Sequence, residues 1–235
     1  MAVSFKSALL PLALAFSLGF SGAASADALT EGFDDGVPSG WTINNLSNPP
    51  GTTSWYQGST EVFDAYEGAG DSYLAANYNS VDLAGPISTW LIMPTGTYNN
   101  GDTLSFFTRT AEGSIWSDTL EVRFSSVGGT DVGDDENSVG TFSTLLLSVN
   151  PDEQADGYPQ EWTQYSVTLS GLSGATSGAF AFRYSVTDGG AFGNDSNYIG
   201  IDSVSVSAVP EPSTYMMLGA GVGLLAFMRR RKASV

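Results

Sequence analysis

The sequence predicts an all-β protein, built as an antiparallel β-sandwich, and three observations lead there. Short runs of alternating apolar and polar residues recur between residues 27 and 208, turn residues separate the runs, and helical periodicity is scarce. The turn signals include Gly128-Gly129, Asn99-Asn100-Gly101 and Asp188-Gly189-Gly190. Many short strands without helices between them are typical of two packed sheets.

The first 26 residues have the features of a secretory signal peptide. A basic residue, Lys6, precedes an apolar run from Ala8 to Phe20, and small residues follow at Ala24 and Ala26. This order predicts a signal helix that signal peptidase cleaves after Ala26. An N-terminal transmembrane helix is the alternative, but the run is short and ends in small residues rather than in charges.

Three segments of the body show the clearest strand alternation, and each predicts a strand with one buried face. Their apolar positions are Leu120, Val122 and Phe124; Tyr165, Val167 and Leu169; and Phe180, Phe182, Tyr184 and Val186. In the last strand, Tyr198 to Ser207, the apolar parity changes between Ile201 and Val204. Either a β-bulge near Asp202 restores one buried face, or the strand is buried on both faces.

Composition excludes several classes of function. All 25 Asp and Glu lie between Asp27 and Glu211, where only Arg109, Arg123 and Arg183 oppose them, so this segment carries a charge of −22. Such a body repels nucleic acid. The chain has no Cys and no His, which excludes disulfides, Ser-His-Asp and Cys-His catalysis, and imidazole zinc sites.

The C-terminal segment, residues 209–235, combines an extended strip, a short apolar run and a basic end. Pro210 and Pro212 flank Glu211, which favours an extended, exposed strip. The 14 residues from Tyr215 to Met228 would form a helix of roughly 21 Å, shorter than a hydrocarbon core of about 30 Å. Basic residues at Arg229 to Lys232 favour a cytoplasmic end. A permanent tail anchor is the alternative.

This segment resembles the PEP-CTERM sorting signal of Gram-negative bacteria, with its extended motif, hydrophobic helix and arginine cluster. The resemblance implies recognition by an exosortase, which removes the tail at the inner membrane during export to the cell surface or extracellular matrix. The residues that match the signal are Val209, Pro210, Glu211, Pro212, Arg229, Arg230 and Arg231. The membrane contact would then be transient, made through the C-terminal helix.

Residues 27–208 resemble the choice-of-anchor J domain, which is related to the cleaved-adhesin modules of secreted bacterial proteins. The matching segments, in order, are EGFDDGVPSGW, TSWYQGS, DSYLAANY, STWLIMP, LSFFTRT, DTLEVRFSS and AFRYSV to YIGIDSVSV. The resemblance implies a jelly-roll β-sandwich of the concanavalin or MAM type. The predicted organisation is therefore a signal peptide at 1–26, the sandwich at 27–208 and the sorting signal at 209–235.

Carboxylates are abundant, yet no catalytic residue is predicted. The alternating acids that glycosidases of this fold class place along one strand are absent from the sequence, and acidic runs are usually solvated. Jelly-roll modules often hold a structural calcium ion between an early Glu and an Asp near the last strand. Glu31 and Asp202 occupy those positions, so we expect Ca²⁺ there, with solvated carboxylates as the alternative.

Aromatic residues provide the other candidate site. Trp55 and Trp116 stand in polar, loop-like segments, so we expect both to be exposed and to offer contacts for extracellular polysaccharide. The three body arginines either bind a carboxylated glycan or pair with neighbouring acids, and pairing is favoured in so acidic a chain. The expected function is structural or adhesive, not enzymatic; the alternatives are a carboxylate-dependent enzyme acting on polysaccharide and a permanently anchored periplasmic protein.

Overall fold

A computed structural model describes residues 29–209. The predicted signal peptide, its cleavage site at Ala24 and Ala26, and the tail from Pro210 onward lie outside the described residues. Within the described range the chain forms twelve strands and one 3₁₀ turn at Tyr78–Ser80. No helix in this range is long and apolar enough to cross a membrane.

The strands form two sheets in which every pairing is antiparallel. The first sheet contains β1 (Leu29–Glu31), β3 (Tyr56–Gln57), β4 (Leu74–Asn77), β7 (Thr103–Thr110), β10 (Thr163–Thr168) and β12 (Tyr198–Ser207). The second contains β2 (Thr42–Asn45), β5 (Gly85–Ile92), β6 (Gly96–Tyr98), β8 (Leu120–Ser125), β9 (Thr144–Val149) and β11 (Thr176–Gly189).

The strand order confirms the predicted jelly roll. The first sheet runs β10-β7-β12-β4-β3, with β1 beside β12, and the second runs β2-β5-β11-β8-β9, with β6 beside β11. The connections β4 to β5, β7 to β8, β9 to β10 and β11 to β12 each pass from one sheet to the other. Two interlocked Greek keys of this kind define the jelly roll.

The main core lies between the sheets. Its largest members are aromatic, and the alternation predicted for β8 is observed, because Leu120, Val122 and Phe124 are all buried. Phe106, Phe124, Phe180 and Phe182 belong to edge-to-face pairs with ring centroids 5.0 Å apart. Such pairs contribute roughly 0.5–1.5 kcal/mol each beyond their area burial.

The outer face of β11 departs from the prediction of a half-buried strand. Ala179 and Ala181 point away from the main core, yet both are fully buried. The reason is the long connection between β8 and β9, whose Val132 and Phe142 pack with Trp90 over this face. The connection between β3 and β4 covers the first sheet in the same way, where Phe63 packs with other aromatic residues.

β12 contains a bulge, which is one of the two alternatives that its parity change left open. The pairing with β7 shifts register between Asp202 and Ser205, and Ser203 takes a φ of 49°. Ile201 and Val204 are therefore both buried on the inner face. Before the bulge the strand is also buried on its outer face, since a Cβ on Gly200 would lie 2.9 Å from the Phe63 ring.

The arginines pair with acids, as favoured. Glu121 accepts hydrogen bonds from Arg123 Nε at 2.7 Å and from Arg183 Nη1 at 3.1 Å, and all three side chains are nearly buried. Burial acts to raise the pKa of Glu121, but the two guanidinium groups lower it further, so it lies below its ordinary value. Arg109 instead reaches the exposed Glu161 at 3.8 Å.

Candidate functional site

A small pocket lies where three connections between the sheets meet: residues 78–84 after β4, 111–119 after β7, and 190–197 after β11. Trp116 is 41% exposed at this pocket, as the sequence predicts, and Tyr78 is 37% exposed. The volume is about 230 Å³, and the lining residues are Tyr78, Trp116, Gly190, Ala191, Gly193, Ser196 and Asn197. This is below the roughly 300–1,000 Å³ of pockets for drug-sized ligands, so the site suits a small ring.

Backbone contacts hold the first and third of these connections together. Tyr78 N donates to Asn197 O at 2.9 Å, and Phe192 N donates to Leu83 O at 2.9 Å. Gly190 makes the second approach feasible: its φ is +103°, and a Cβ there would lie 2.4 Å from the Leu83 carbonyl oxygen. The pocket is thus a consequence of how the loops pack, not of one contiguous motif.

Some polar atoms of the pocket already have hydrogen-bond partners, and others do not. Asn197 Nδ2 donates to Ser114 Oγ at 2.9 Å, and Ser196 Oγ accepts from Gly190 N at 3.0 Å. Among residues 29–209, no partner is found for Asn197 Oδ1, the Tyr78 hydroxyl or Trp116 Nε1. These groups remain available to a ligand in a pocket that two aromatic side chains line.

Asp118 lies directly beneath the pocket and is fully buried. Its Oδ1 accepts from the Tyr184 hydroxyl at 2.6 Å and from Asn197 N at 2.8 Å, and its Oδ2 lies 3.1 Å from Thr110 Oγ1. Burial raises the pKa of Asp118 to about 6, although these donors act to lower it. Asp118 therefore ties the segment after Trp116 to the backbone of Asn197.

Trp55 corrects the sequence-based expectation, because it is only 3% exposed. It immediately precedes β3, whose pairing with β4 draws the indole into the main core, and its Nε1 donates to Thr89 O at 3.3 Å. The polar neighbours that suggested a loop belong to the sandwich edge. Trp55 is thus unavailable for contact with a glycan.

The expected calcium ligands lie near each other, but Asp202 and one oxygen of Glu31 already accept hydrogen bonds from backbone amides. Pairing of β1 with β12 places Glu31 opposite Val204, two residues after Asp202. Asp202 Oδ2 accepts from Tyr66 N at 2.8 Å and Glu67 N at 3.1 Å, and Glu31 Oε1 accepts from Phe33 N at 2.8 Å.

Backbone amides that donate to Asp202 stabilise its carboxylate without a cation. Burial acts in the other direction and raises the pKa of Asp202. Glu31, Asp34 and Glu67 line a neighbouring cavity of about 330 Å³. Within residues 29–209, however, no group of three or more acidic side chains is placed to hold a metal ion. Calcium at Glu31 and Asp202 stays a prediction.

Of the sorting residues, only Val209 lies within the described range. It is 46% exposed, and its N–H donates to Asp102 Oδ1 at 3.1 Å, next to the start of β7. The other predicted sorting residues, Pro210, Glu211, Pro212, Arg229, Arg230 and Arg231, lie outside it. The sandwich therefore ends where the predicted sorting strip begins.

Comparison with known families identifies the tail. Residues 208–232 match the PEP-CTERM protein-sorting motif. The chain thus carries this sorting signal, which directs export. Among curated proteins, none matches the chain in sequence.

Comparison with solved structures identifies the fold of the body. The K1 cleaved adhesin domain of Lys-gingipain from Porphyromonas gingivalis W83 is 22% identical, with a TM-score of 0.56, over 78% of this chain and 99% of that domain. The K2 cleaved adhesin domain of Lys-gingipain is 19% identical, with a TM-score of 0.51, over 77% of this chain and 97% of that domain. At these identities the likeness establishes the β-sandwich fold and no ligand.

Proposed function

We propose that the chain is an exosortase-processed protein of the cell surface or extracellular matrix, whose sandwich binds glycan through the Trp116–Tyr78 pocket. The sorting motif at residues 208–232 supports export. The exposed aromatic pair supports a sugar ligand, because a flat ring presents an apolar face to a pyranose while its neighbours offer hydrogen bonds. Signal peptidase, exosortase and matrix polysaccharide are the proposed partners.

Binding without catalysis fits the pocket best. Hydrolysis of a glycosidic bond ordinarily needs two carboxyl groups that flank the scissile bond. The residues that line the pocket are aromatic, small or amide-bearing, and none is acidic. A bound sugar would therefore meet contacts that hold it and no acid–base pair beside it.

The Trp116→Ala variant tests the glycan site. We expect it to bind extracellular polysaccharide of the native host, or soluble oligosaccharides from it, at least about tenfold more weakly than the wild-type protein. The reason is loss of the ring against which a sugar would stack. Isothermal titration calorimetry on the purified mature protein gives the affinities.

Tyr66→Ala is the matched control. Tyr66 is 47% exposed. Its ring stacks on the Phe107 ring, with the ring centroids 3.6 Å apart, over the outer face of the first sheet and away from the pocket. Glycan affinity should survive this change. Equal weakening by both variants, or no effect of Trp116→Ala on a protein that does bind glycan, would place the binding elsewhere.

A further inference from the structure

We infer that the Trp116–Tyr78 pocket selects a sugar that carries a free ammonium group, such as an unacetylated hexosamine unit of a polysaccharide. This inference rests on the proposed glycan-binding function and specifies its ligand class. Two properties of the site lead to it: the signs of the charges around the pocket and the kind of side chain inside it.

The connections that build the pocket carry only negative charge. Residues 78–84, 111–119 and 190–197, together with Asp188 and Gly189 at the end of β11, contain no Lys or Arg. Four acidic residues lie in them besides the buried Asp118, and all four are exposed or half-exposed: Asp82, Glu112, Asp188 and Asp195. Since no cation offsets them, this end of the sandwich attracts an ammonium group and repels a uronate.

Hydrogen bonds fix the positions of two of these carboxylates, Asp195 and Asp188. The Ser117 hydroxyl donates to Asp195 Oδ1, and Asn194 Nδ2 donates to Asp188 Oδ2 at 2.6 Å. Asp195, in the 190–197 loop, is thereby tied to the segment that carries Trp116, and Asp188, at the end of β11, is tied to the 190–197 loop. Neither one lines the pocket, so each acts on a ligand through its field and not by direct contact.

Inside the pocket, the groups that are available favour a cation. The faces of Trp116 and Tyr78 have negative π-clouds that attract an ammonium group within about 6 Å of a ring centre. Asn197 Oδ1 is an acceptor without a partner among the described residues, and an ammonium group has only donors to offer. N-acetylation would remove the positive charge of the ligand, and a carboxylate would replace it with a negative one.

The arginines of the body do not alter this balance. Arg123 and Arg183 are both bound to Glu121, under the connection that covers the second sheet. Arg109 lies over the Phe63 ring at 4.6 Å, on the outer face of the first sheet. None of them lines the pocket.

The test is titration of the mature protein with three trimers: glucosamine, N-acetylglucosamine and galacturonic acid. At about pH 6 and about 20 mM salt, we expect the glucosamine trimer to bind about tenfold more tightly than the acetylated one, and the uronate not to bind. The preference should shrink at about 300 mM salt, because the field of half-exposed acids is screened.

Two charge variants separate a local effect from general attraction to an acidic protein. Asp195→Asn keeps an acceptor for Ser117 but removes a charge beside the pocket, and we expect it to reduce the preference several-fold. Asp134→Asn removes the same charge on the exposed loop between β8 and β9, and the preference should be unchanged. Trp116→Ala should weaken binding of the glucosamine trimer by the same factor as it weakens binding of the host polysaccharide.

The outcomes distinguish this inference from the function on which it rests. Equal affinity for both hexosamine trimers, or equal effects of the two Asp→Asn variants, would overturn the ammonium preference while leaving a glycan site at Trp116. If the glucosamine trimer still binds to Trp116→Ala, the ammonium preference of the pocket is overturned, because the trimer is then attracted to the acidic surface in general. Failure to bind these trimers and the host polysaccharide alike would overturn the glycan-binding function itself.

Discussion

Glu121→Gln is expected to destabilise the sandwich by about 3 kcal/mol, because breaking a buried ion pair leaves a charge without compensation. Glu121 is the shared partner of Arg123 and Arg183, whose side chains are 12% and 8% exposed. Glutamine keeps the shape but gives two nearly buried guanidinium groups a single neutral acceptor. The free energy of unfolding, measured by urea denaturation at neutral pH, reports the loss.

Glu161→Gln is the control for the same chemical change. Glu161 is 83% exposed and lies 3.8 Å from Arg109, so its loss should cost no more than about 0.5 kcal/mol. A large gap between the two variants is the expected result. Similar small losses at both positions would mean that the Glu121 ion pairs are solvated in solution and contribute little to stability.

Asp118→Asn is expected to stabilise the protein at about pH 8, by at most about 3 kcal/mol. The pKa of Asp118 is about 6 in the folded protein against an ordinary 3.8. Because the folded value is raised, the protonated group contributes stability fully below 3.8, and this contribution is lost as the pH rises through about 6. The amide stays neutral, so the advantage of the variant should vanish in acid.

The hydrogen bonds around Asp118 also accommodate the neutral form. The Thr110 hydroxyl has one hydrogen, and the Tyr198 carbonyl at 2.8 Å is a nearer acceptor for it than Asp118 Oδ2 at 3.1 Å. A protonated carboxyl or an Asn Nδ2 would donate to Thr110, leaving its hydrogen for Tyr198. Oδ1 would still accept from Tyr184 and Asn197.

The measurement compares unfolding free energies of the wild-type protein and Asp118→Asn from about pH 4 to about pH 8. Asp118→Ala provides the control, since it strands the Tyr184 hydroxyl and the Asn197 amide and should destabilise by roughly 1–3 kcal/mol for each stranded group at every pH. If Asp118→Asn and the wild-type protein keep a constant difference across the range, Asp118 does not titrate as described.

The fold was predictable because its signals are local. Alternation at Leu120, Val122 and Phe124 specifies which face of β8 is buried. The parity change after Ile201 limits β12 to a bulge or to burial on both faces, and the structure has the bulge. Burial of Ala179 and Ala181 was not predictable, since it depends on Val132 and Phe142 from a connection that folds back over the sheet. Alternation within a strand carries no information about a distant loop.

The site was predictable only in part, for a related reason. A polar segment predicts an exposed tryptophan, and this prediction is right for the exposure of Trp116 and wrong for Trp55. It fails at Trp55 because a two-residue strand such as β3 is too short to show periodicity. Tyr78, Asn197 and Asp118 come together through three separate connections, and no sequence motif joins them.

We propose that this sandwich is exported and then released from its C-terminal tail. Mass spectrometry of the mature protein from its native host distinguishes release of the tail from its retention. The sorting motif at residues 208–232 predicts a product that begins at Asp27 and ends before the apolar segment, without Arg229, Arg230 and Arg231. A mature protein that still ends at Val235 would refute release of the tail and identify it as a permanent anchor.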